Sequence, residues 1–301
     1  MSNRNVYCDD SPVALNAPLP YNAEAWPVPV VLIGCGALAA FEKSHGGSAP
    51  SALDSLAVAA ASEATHAASR NVVGTLRISH ADGAEAPEST NTTTRARCHT
   101  RRFIVSTPIS GWFHCGGERG PGVAIFLGLA EALPRLAAAR SARSAAQCGG
   151  VELLFVGTSG HELGDMGAEL NLASLAARGW GVESGVDAFV SLGASIMTWQ
   201  NITGPGATPD GVYRSPLCYN TERIGDALVK PFRAAGYAPG LNRSDLAGEL
   251  LKVIGAGYSA FGFYGDFYRF HTPEDDASST SAELLETAGK ATLAALEALL
   301  E

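Results

Sequence analysis

Residues 151–167 read VELLFVGTSGHELGDMG and contain, in order, an apolar run, a glycine-rich turn and the start of a helix. The run at 151–156 has the length and the Val, Leu and Phe content of a buried strand. His161 and Glu162 stand side by side where the chain leaves this strand. Because α/β sheets collect their chemistry at the carboxyl ends of the strands, the pair lies where a catalytic site is expected.

Apolar and β-branched runs alternate with alanine-rich stretches along the rest of the chain. They predict further strands at residues 30–35, 71–78, 101–107, 187–192 and 259–264. Helices are predicted at residues 51–70, 123–133 and 285–299. The alternation predicts a three-layer α/β sandwich, with a central mixed, mostly parallel sheet and helices on both faces. No internal repeat or linker is evident, so residues 1–301 are expected to form a single domain.

Composition and charge exclude several classes of partner. A hydrophobic fraction of 46% with 17% charged residues is that of a globular protein. The net charge of −9 and the lack of a Lys/Arg cluster argue against nucleic acid or an anionic membrane. No signal peptide and no apolar run of bilayer length is recognised. The six cysteines form no C-x-x-C pair, so we expect reduced thiols and a cytoplasmic protein.

The HELGD segment at 161–165 permits two interpretations. A zincin helix needs H-E-x-x-H, and the fifth residue here is Asp165, so that motif is not met. Glu162 could simply favour the positive end of a helix, with His161 paired to Asp165 one turn later. These residues alone leave both a catalytic and a helix-stabilising role open.

Three segments change that balance through their order and spacing. They are GGERGPGVAIFLGLAEAL at 116–133, VELLFVGTSGHELGDMGAE at 151–169 and YRFHTPEDDAS at 268–278. Together they resemble the zinc aminopeptidase family that also includes the glutaminyl cyclases, over roughly residues 70–301. In that family an aspartate precedes a glycine and a helix start, a Glu-Glu pair follows a strand, and a His-Thr-Pro segment comes late.

The resemblance implies roles for four residues. Glu118 falls where the family has its bridging aspartate, Glu162 on the second glutamate of the pair, and His271 on the late histidine, so all three are implied metal ligands. His161 takes the place of the first glutamate, the family's general base. A nearby cation is expected to lower the pKa of His161 and keep the imidazole neutral. Ligation of the metal by His161 is the alternative.

The departures from the family pattern concern the second metal. The family's first strand ends in His-x-Asp, where this chain has Pro108, Ile109 and Ser110. The family's late aspartate falls on or near Gly193. The resemblance therefore implies at most one zinc per chain, as in the glutaminyl cyclases. Two carboxylates and one imidazole suit a catalytic zinc with an open fourth position.

Two functions of different classes follow. The first is a mononuclear zinc-dependent hydrolase or cyclase, acting on an amide-type bond of a small molecule or short peptide, with His161 and Glu162 catalytic. The alternative is a metal-free aminopeptidase-like domain that acts as a binding or scaffolding protein. If the first holds, the donor atoms of the three ligands should lie roughly 3 to 4 Å apart at the carboxyl edge of the sheet.

Several neighbouring side chains are candidates for substrate binding: Ser110, Trp112, His114, Arg119, Asp165 and Tyr268. Trp112 and Tyr268 are expected to border the cleft, although core packing is the alternative for such aromatic residues. Arg119 could instead be a salt-bridge partner of Glu118. A nucleophilic site built from Cys115 or Ser110 with a histidine is also conceivable, but no G-x-S-x-G elbow supports it.

Overall fold

The structure, a computed structural model, describes residues 68–78, 100–143, 150–201, 210–241 and 246–300. The predicted strand at 30–35, most of the predicted helix at 51–70, and four of the cysteines (Cys8, Cys35, Cys98 and Cys148) lie outside these residues.

A seven-stranded sheet forms the centre of the described fold. Its strands are β1 (Val72–Ile78), β2 (Arg101–Pro108), β3 (Val151–Thr158), β4 (Ala188–Ser191), β7 (Leu217–Tyr219), β8 (Gly240–Leu241) and β9 (Ala260–Phe263). The strands β5 (Met197–Asn201) and β6 (Asp210–Arg214) form a separate two-stranded sheet. The order across the large sheet is β1-β3-β2-β4-β9-β7-β8. Four of these strands, β1, β2, β4 and β9, were predicted together with β3.

The middle of the sheet is parallel. β2 pairs in parallel with both β3 and β4, and β4 pairs in parallel with β9. β1 is antiparallel to β3, and β7 is antiparallel to β9, which makes the sheet mixed, as predicted. The carboxyl ends of β2, β3, β4 and β9 therefore meet at one edge, and the loops that follow them are neighbours.

Helices cover both faces of the sheet. They are α1 (Gly120–Arg143), α2 (Met166–Leu175), α3 (Glu222–Ala234), α4 (Gly248–Gly255) and α5 (Ala282–Leu300). Side chains alternate along β2, so that Phe103 and Val105 join the core beneath α1, α3 and α5. Ile104 joins the second core, which contains residues of α2 and α4. The predicted three-layer sandwich is confirmed.

Helix α1 extends from Gly120 to Arg143 and is longer than the helix predicted at residues 123–133. Residues 120–139 have a mean hydropathy of 1.5, so by length and composition this stretch could cross a membrane, contrary to the expectation above. Its buried stripe of Ile125, Leu129 and Leu133 packs in the core with the sheet and α5. Spacing of four residues along one face is the pattern of a helix laid on a core.

Candidate metal centre

Three loops at the carboxyl edge of the sheet bring the candidate ligands together. Residues 109–119 follow β2, residues 159–165 follow β3, and residues 264–276 follow β9. These loops carry Glu118, Glu162 and His271 in turn. Because the preceding strands share one parallel arrangement, side chains more than a hundred residues apart end at the same place.

The three side chains meet closely. His271 Nε2 lies 3.3 Å from Glu118 Oε1 and 3.5 Å from Glu162 Oε2. One potential ligand atom from each residue lies within 4.8 Å of the other two. Donor atoms around a tetrahedral zinc are roughly 3 to 4 Å apart. The expected convergence is present, while the role of these residues as ligands stays a prediction.

The donor set fits one zinc ion. His271 Nε2 is buried and makes no hydrogen bond of good geometry with any of the described residues, and Glu118 Oε1 has no such hydrogen bond beside its ion pair with Arg119. Buried polar atoms without such partners are rare and need an explanation, for which an ion is one of the standard candidates. Two carboxylates and an imidazole are ligands that zinc commonly takes.

Hydrogen bonds fix the backbone at Glu118. Asp275 accepts from Gly117 N at 2.5 Å and from Glu118 N at 2.9 Å, and its own carbonyl accepts from Gly116 N at 3.0 Å. Gly116 has no alternative here, because a Cβ atom would lie 2.0 Å from the carbonyl oxygen of Asp276. The loop after β2 is thereby joined to the loop that carries His271.

Arg119 is a salt-bridge partner of both glutamates. Its Nη2 lies 2.7 Å from Glu118 Oε1 and 2.7 Å from Glu162 Oε1, and its Nε donates to the carbonyl of Ser110 at 2.9 Å. Burial is the largest single influence and raises the pKa of Glu118, but Arg119, His271 and His161 together outweigh it and hold that pKa below its usual value. Arg119 is only 5% exposed, so contact with a substrate, the other expected role, has little support.

His161 lies in a second acidic cluster. Its Nδ1 is 2.9 Å from Asp165 Oδ1 and 3.3 Å from Glu249 Oε1, while Thr158 donates to Glu249 at 2.8 Å. Burial and the charge of Arg119 lower the pKa of His161, but the two carboxylates outweigh them and raise it to about 9. Without a metal the imidazole of His161 therefore favours its protonated form, and a neutral imidazole beside a bound metal stays a prediction.

Asp165 has a different role from the one expected. Its pairing with His161 across four residues is confirmed. Its side chain is buried, however, so it orients the imidazole and presents no exposed surface to a substrate. The chain adopts a left-handed conformation at this residue, with φ 60°, between the short turn at residues 161–163 and α2.

The loop after β2 supplies an aromatic rim. Trp112 is 37% exposed and Phe113 is 59% exposed, so neither packs in the core. His114 is also exposed, and Tyr268, on the loop that carries His271, is half-buried. Ser110 is a structural link, because its hydroxyl accepts from the backbone N–H of His161 at 3.1 Å. Trp112, Phe113 and His114 are exposed and therefore accessible to a substrate, and the substrate-binding role of the rim stays a prediction.

Cys115 does not have the environment of a nucleophile. Burial raises the pKa of its thiol, and the negative charge of Glu118 raises it further. The thiol lies 3.4 Å from Glu118 Oε2 and acts as a hydrogen-bond donor. A reactive cysteine needs the opposite surroundings, which favour the thiolate, so the nucleophilic alternative at Cys115 is not supported.

The residues implied to replace the second-metal ligands cannot bind a cation through a side chain. Pro108 is the last residue of β2 and has no donor group beyond its carbonyl. Gly193 follows β4, and a Cβ atom there would lie 2.0 Å from the carbonyl oxygen of Phe263. The close approach of the chain after β4 to the end of β9 thus excludes any side chain at this place.

We expect Gly193→Asp to destabilise the protein rather than to create a second metal site. A buried carboxylate forced against the Phe263 carbonyl should lower the free energy of unfolding by more than about 3 kcal/mol. Urea denaturation measures this, with Gly255→Asp as the control, since a Cβ at Gly255 meets no atom within 4 Å. A folded Gly193→Asp protein that binds an additional zinc ion would contradict the steric argument.

Two polar residues of the site were missed by the sequence analysis. Asp275 was quoted in the HTPEDDAS run, but nothing distinguishes it there from Asp276, which is exposed. Glu249 lies at the start of α4, outside any motif, and its contact with His161 spans 88 residues. Only the fold brings such residues to the site.

The architecture is that of the aminopeptidases. The aminopeptidase from Aneurinibacillus sp. strain AM-1 matches with a TM-score of 0.50 and 17% identity, over 75% of this chain and 47% of that chain. BSAP, a zinc aminopeptidase from Bacillus subtilis, has a TM-score of 0.49 and 17% identity, over 75% of this chain and 49% of that chain. A glutaminyl cyclase from Macrostomum lignano has a TM-score of 0.48 and 16% identity, over 68% of this chain and 70% of that chain.

At these identities the likeness extends to the fold alone. This chain spans about half the length of the two aminopeptidases. No protein-family model and no curated protein matches the chain.

Proposed function

We propose that this protein is a mononuclear zinc-dependent hydrolase or cyclase that acts on an amide-type bond of a small molecule or short peptide. The observation that carries the proposal is the convergence of Glu118, Glu162 and His271 from three separate loops. Like-charged carboxylates resist burial together, and the single charge of Arg119 compensates only one of the two, so a further cation beside His271 would balance the other. An aminopeptidase fold with this donor set at the carboxyl edge of its sheet supports the same conclusion.

Glu118, Glu162 and His271 would hold the zinc ion. When bound, zinc polarises a carbonyl group and lowers the pKa of a water molecule. His161 would move a proton at Nε2, because Nδ1 faces the carboxylates of Asp165 and Glu249. The fixed orientation is what a general acid–base residue requires.

The rim of the site suits a substrate with an apolar group. Trp112 and Phe113 expose their rings beside the loop that carries Glu118, and Tyr268 lies on the loop that carries His271. Aromatic rings in this setting could contact an apolar side chain next to the scissile bond.

A metal-free binding or scaffolding protein is the second candidate. The observation that favours it is the Arg119 guanidinium, which already pairs with both glutamates without any metal. Under this alternative the cleft would bind a partner and no zinc would be required.

Elemental analysis of protein purified without chelator separates the two. The proposed enzyme carries one zinc ion per chain. Dialysis against a strong chelator should remove this ion, and the turnover of aminoacyl anilides or glutaminyl peptides should be lost with it. A protein that takes up no zinc from a micromolar solution is the metal-free alternative. Two tightly bound ions per chain would contradict the assignment of Pro108 and Gly193.

A further inference from the structure

Arg119 is a cation withdrawn from solvent at the centre of the site. Its side chain is 6% exposed, and its Nη2 lies 2.7 Å from one oxygen of Glu118 and 2.7 Å from one oxygen of Glu162. The Ser110 carbonyl accepts from Nε at 2.9 Å, which holds the guanidinium in place. An arginine side chain keeps its charge in proteins, so this is a permanent positive charge.

The two glutamates face two positions that a cation could occupy, one at Arg119 and one beside His271, and Glu118 Oε1 borders both. Glu118 Oε1 lies 2.7 Å from Arg119 Nη2 on one side and 3.3 Å from His271 Nε2 on the other. Glu162 also faces both sides, but with a different oxygen for each: Oε1 lies beside Arg119, and Oε2 lies 3.5 Å from His271 Nε2. Two carboxylates that each face two cations are the arrangement of a two-metal centre, whose ions lie about 3.5 to 4 Å apart.

We propose that the Arg119 guanidinium is the permanent second cation of this site. It bridges Glu118 and Glu162 where a two-metal centre would hold its other ion, so that one exchangeable metal remains beside His271. This inference rests on the proposed function, because it assumes that the His271 side of the glutamates takes a metal. It also gives Arg119 a positioning role, since the guanidinium keeps two like charges together when no metal is bound.

The charge of Arg119 has opposite effects on the metal-free and the metal-bound protein. Without metal it compensates two buried carboxylates, whose repulsion would otherwise favour opening of the site. With metal it is a like charge close to a divalent ion, which it repels while it competes for the same glutamate oxygens. Removal of the charge should therefore destabilise the metal-free protein and strengthen zinc binding.

The test compares the wild type with Arg119→Met and Arg119→Lys after removal of metal by a chelator. We expect the Tm of metal-free Arg119→Met to fall by about 10 °C, because a broken buried ion pair leaves an uncompensated charge. Zinc titrated into this variant in a calorimeter should bind at least about tenfold more tightly than to the wild type. Arg119→Lys, which keeps the charge, should remain near the wild type in both measurements.

The double variant Arg119→Met/Glu162→Gln removes one positive and one negative charge together. It should recover most of the lost Tm of the metal-free protein, even if Arg119→Met alone does not fold. An unchanged Tm for Arg119→Met, weaker zinc binding by that variant, or a double variant no more stable than the single one would overturn the inference. If the wild type binds no zinc, the proposed function fails, while the Tm comparison still decides whether Arg119 compensates the two glutamates.

Discussion

Replacement of Glu162 by alanine is expected to abolish zinc binding at micromolar concentrations while the protein stays folded. Glu162 supplies one of three converging donors, and its oxygen 3.5 Å from His271 Nε2 faces the proposed metal position. Loss of residues that merely support metal ligands costs 10–100-fold in affinity, so loss of a ligand should cost at least about 100-fold. Equilibrium dialysis with zinc measures the dissociation constant.

The fold of this variant should survive, because Arg119 keeps its ion pair with Glu118. Circular dichroism and the Tm provide the check, and Glu274→Ala is the matched control, since Glu274 is exposed on the loop that also carries His271. Undiminished zinc binding by folded Glu162→Ala protein would show that the metal, if any, lies elsewhere.

Replacement of His161 by glutamine should lower turnover by about 10²–10⁴-fold, the contribution of a general acid–base residue. Glutamine can still donate hydrogen bonds to Asp165 and Glu249, whereas alanine would leave these two buried carboxylates without a side-chain donor at this position. Glutamine is therefore the better substitution, because it removes proton transfer with less disturbance of the site. Steady-state kinetics on the best substrate of an aminoacyl anilide and glutaminyl peptide panel gives the value.

Zinc content must be measured on the same preparation. If His161 transfers protons, His161→Gln keeps its zinc and loses turnover, whereas a ligand role for His161 predicts that zinc is lost with it. Lys290→Gln is the control, because Lys290 is exposed on α5, which carries none of the candidate site residues. Full activity in folded, zinc-loaded His161→Gln protein would exclude His161 from the reaction.

The parts of the fold that the sequence predicts are those encoded locally. Residues 153–156 and 103–105 lie in buried strands because their side chains are apolar on both faces, and parallel neighbours in a covered sheet need such runs. Very short strands escape this reasoning. Leu217–Tyr219 and Gly240–Leu241 are too short to show a period, and the structure alone reveals them.

In the candidate site, too, some features could be predicted from the sequence and others depend on the fold. Glu118, Glu162 and His271 could be named because segments of fixed order and spacing surround them. The protonation of the His161 imidazole could not be predicted, because its pKa depends on Glu249, which lies 88 positions away in the chain at the start of α4. A pKa reflects every charge within a few ångströms, and the sequence does not reveal which charges those are.

The Asp275 hydrogen bonds determine how the centre can move. His271 and Asp275 belong to one loop, and Asp275 holds the backbone N–H groups of Gly117 and Glu118. A displacement of that loop must carry Glu118 with it, or else leave two buried N–H groups without acceptors at a cost of about 1–3 kcal/mol each. Two of the three donors, Glu118 and His271, are consequently expected to move together.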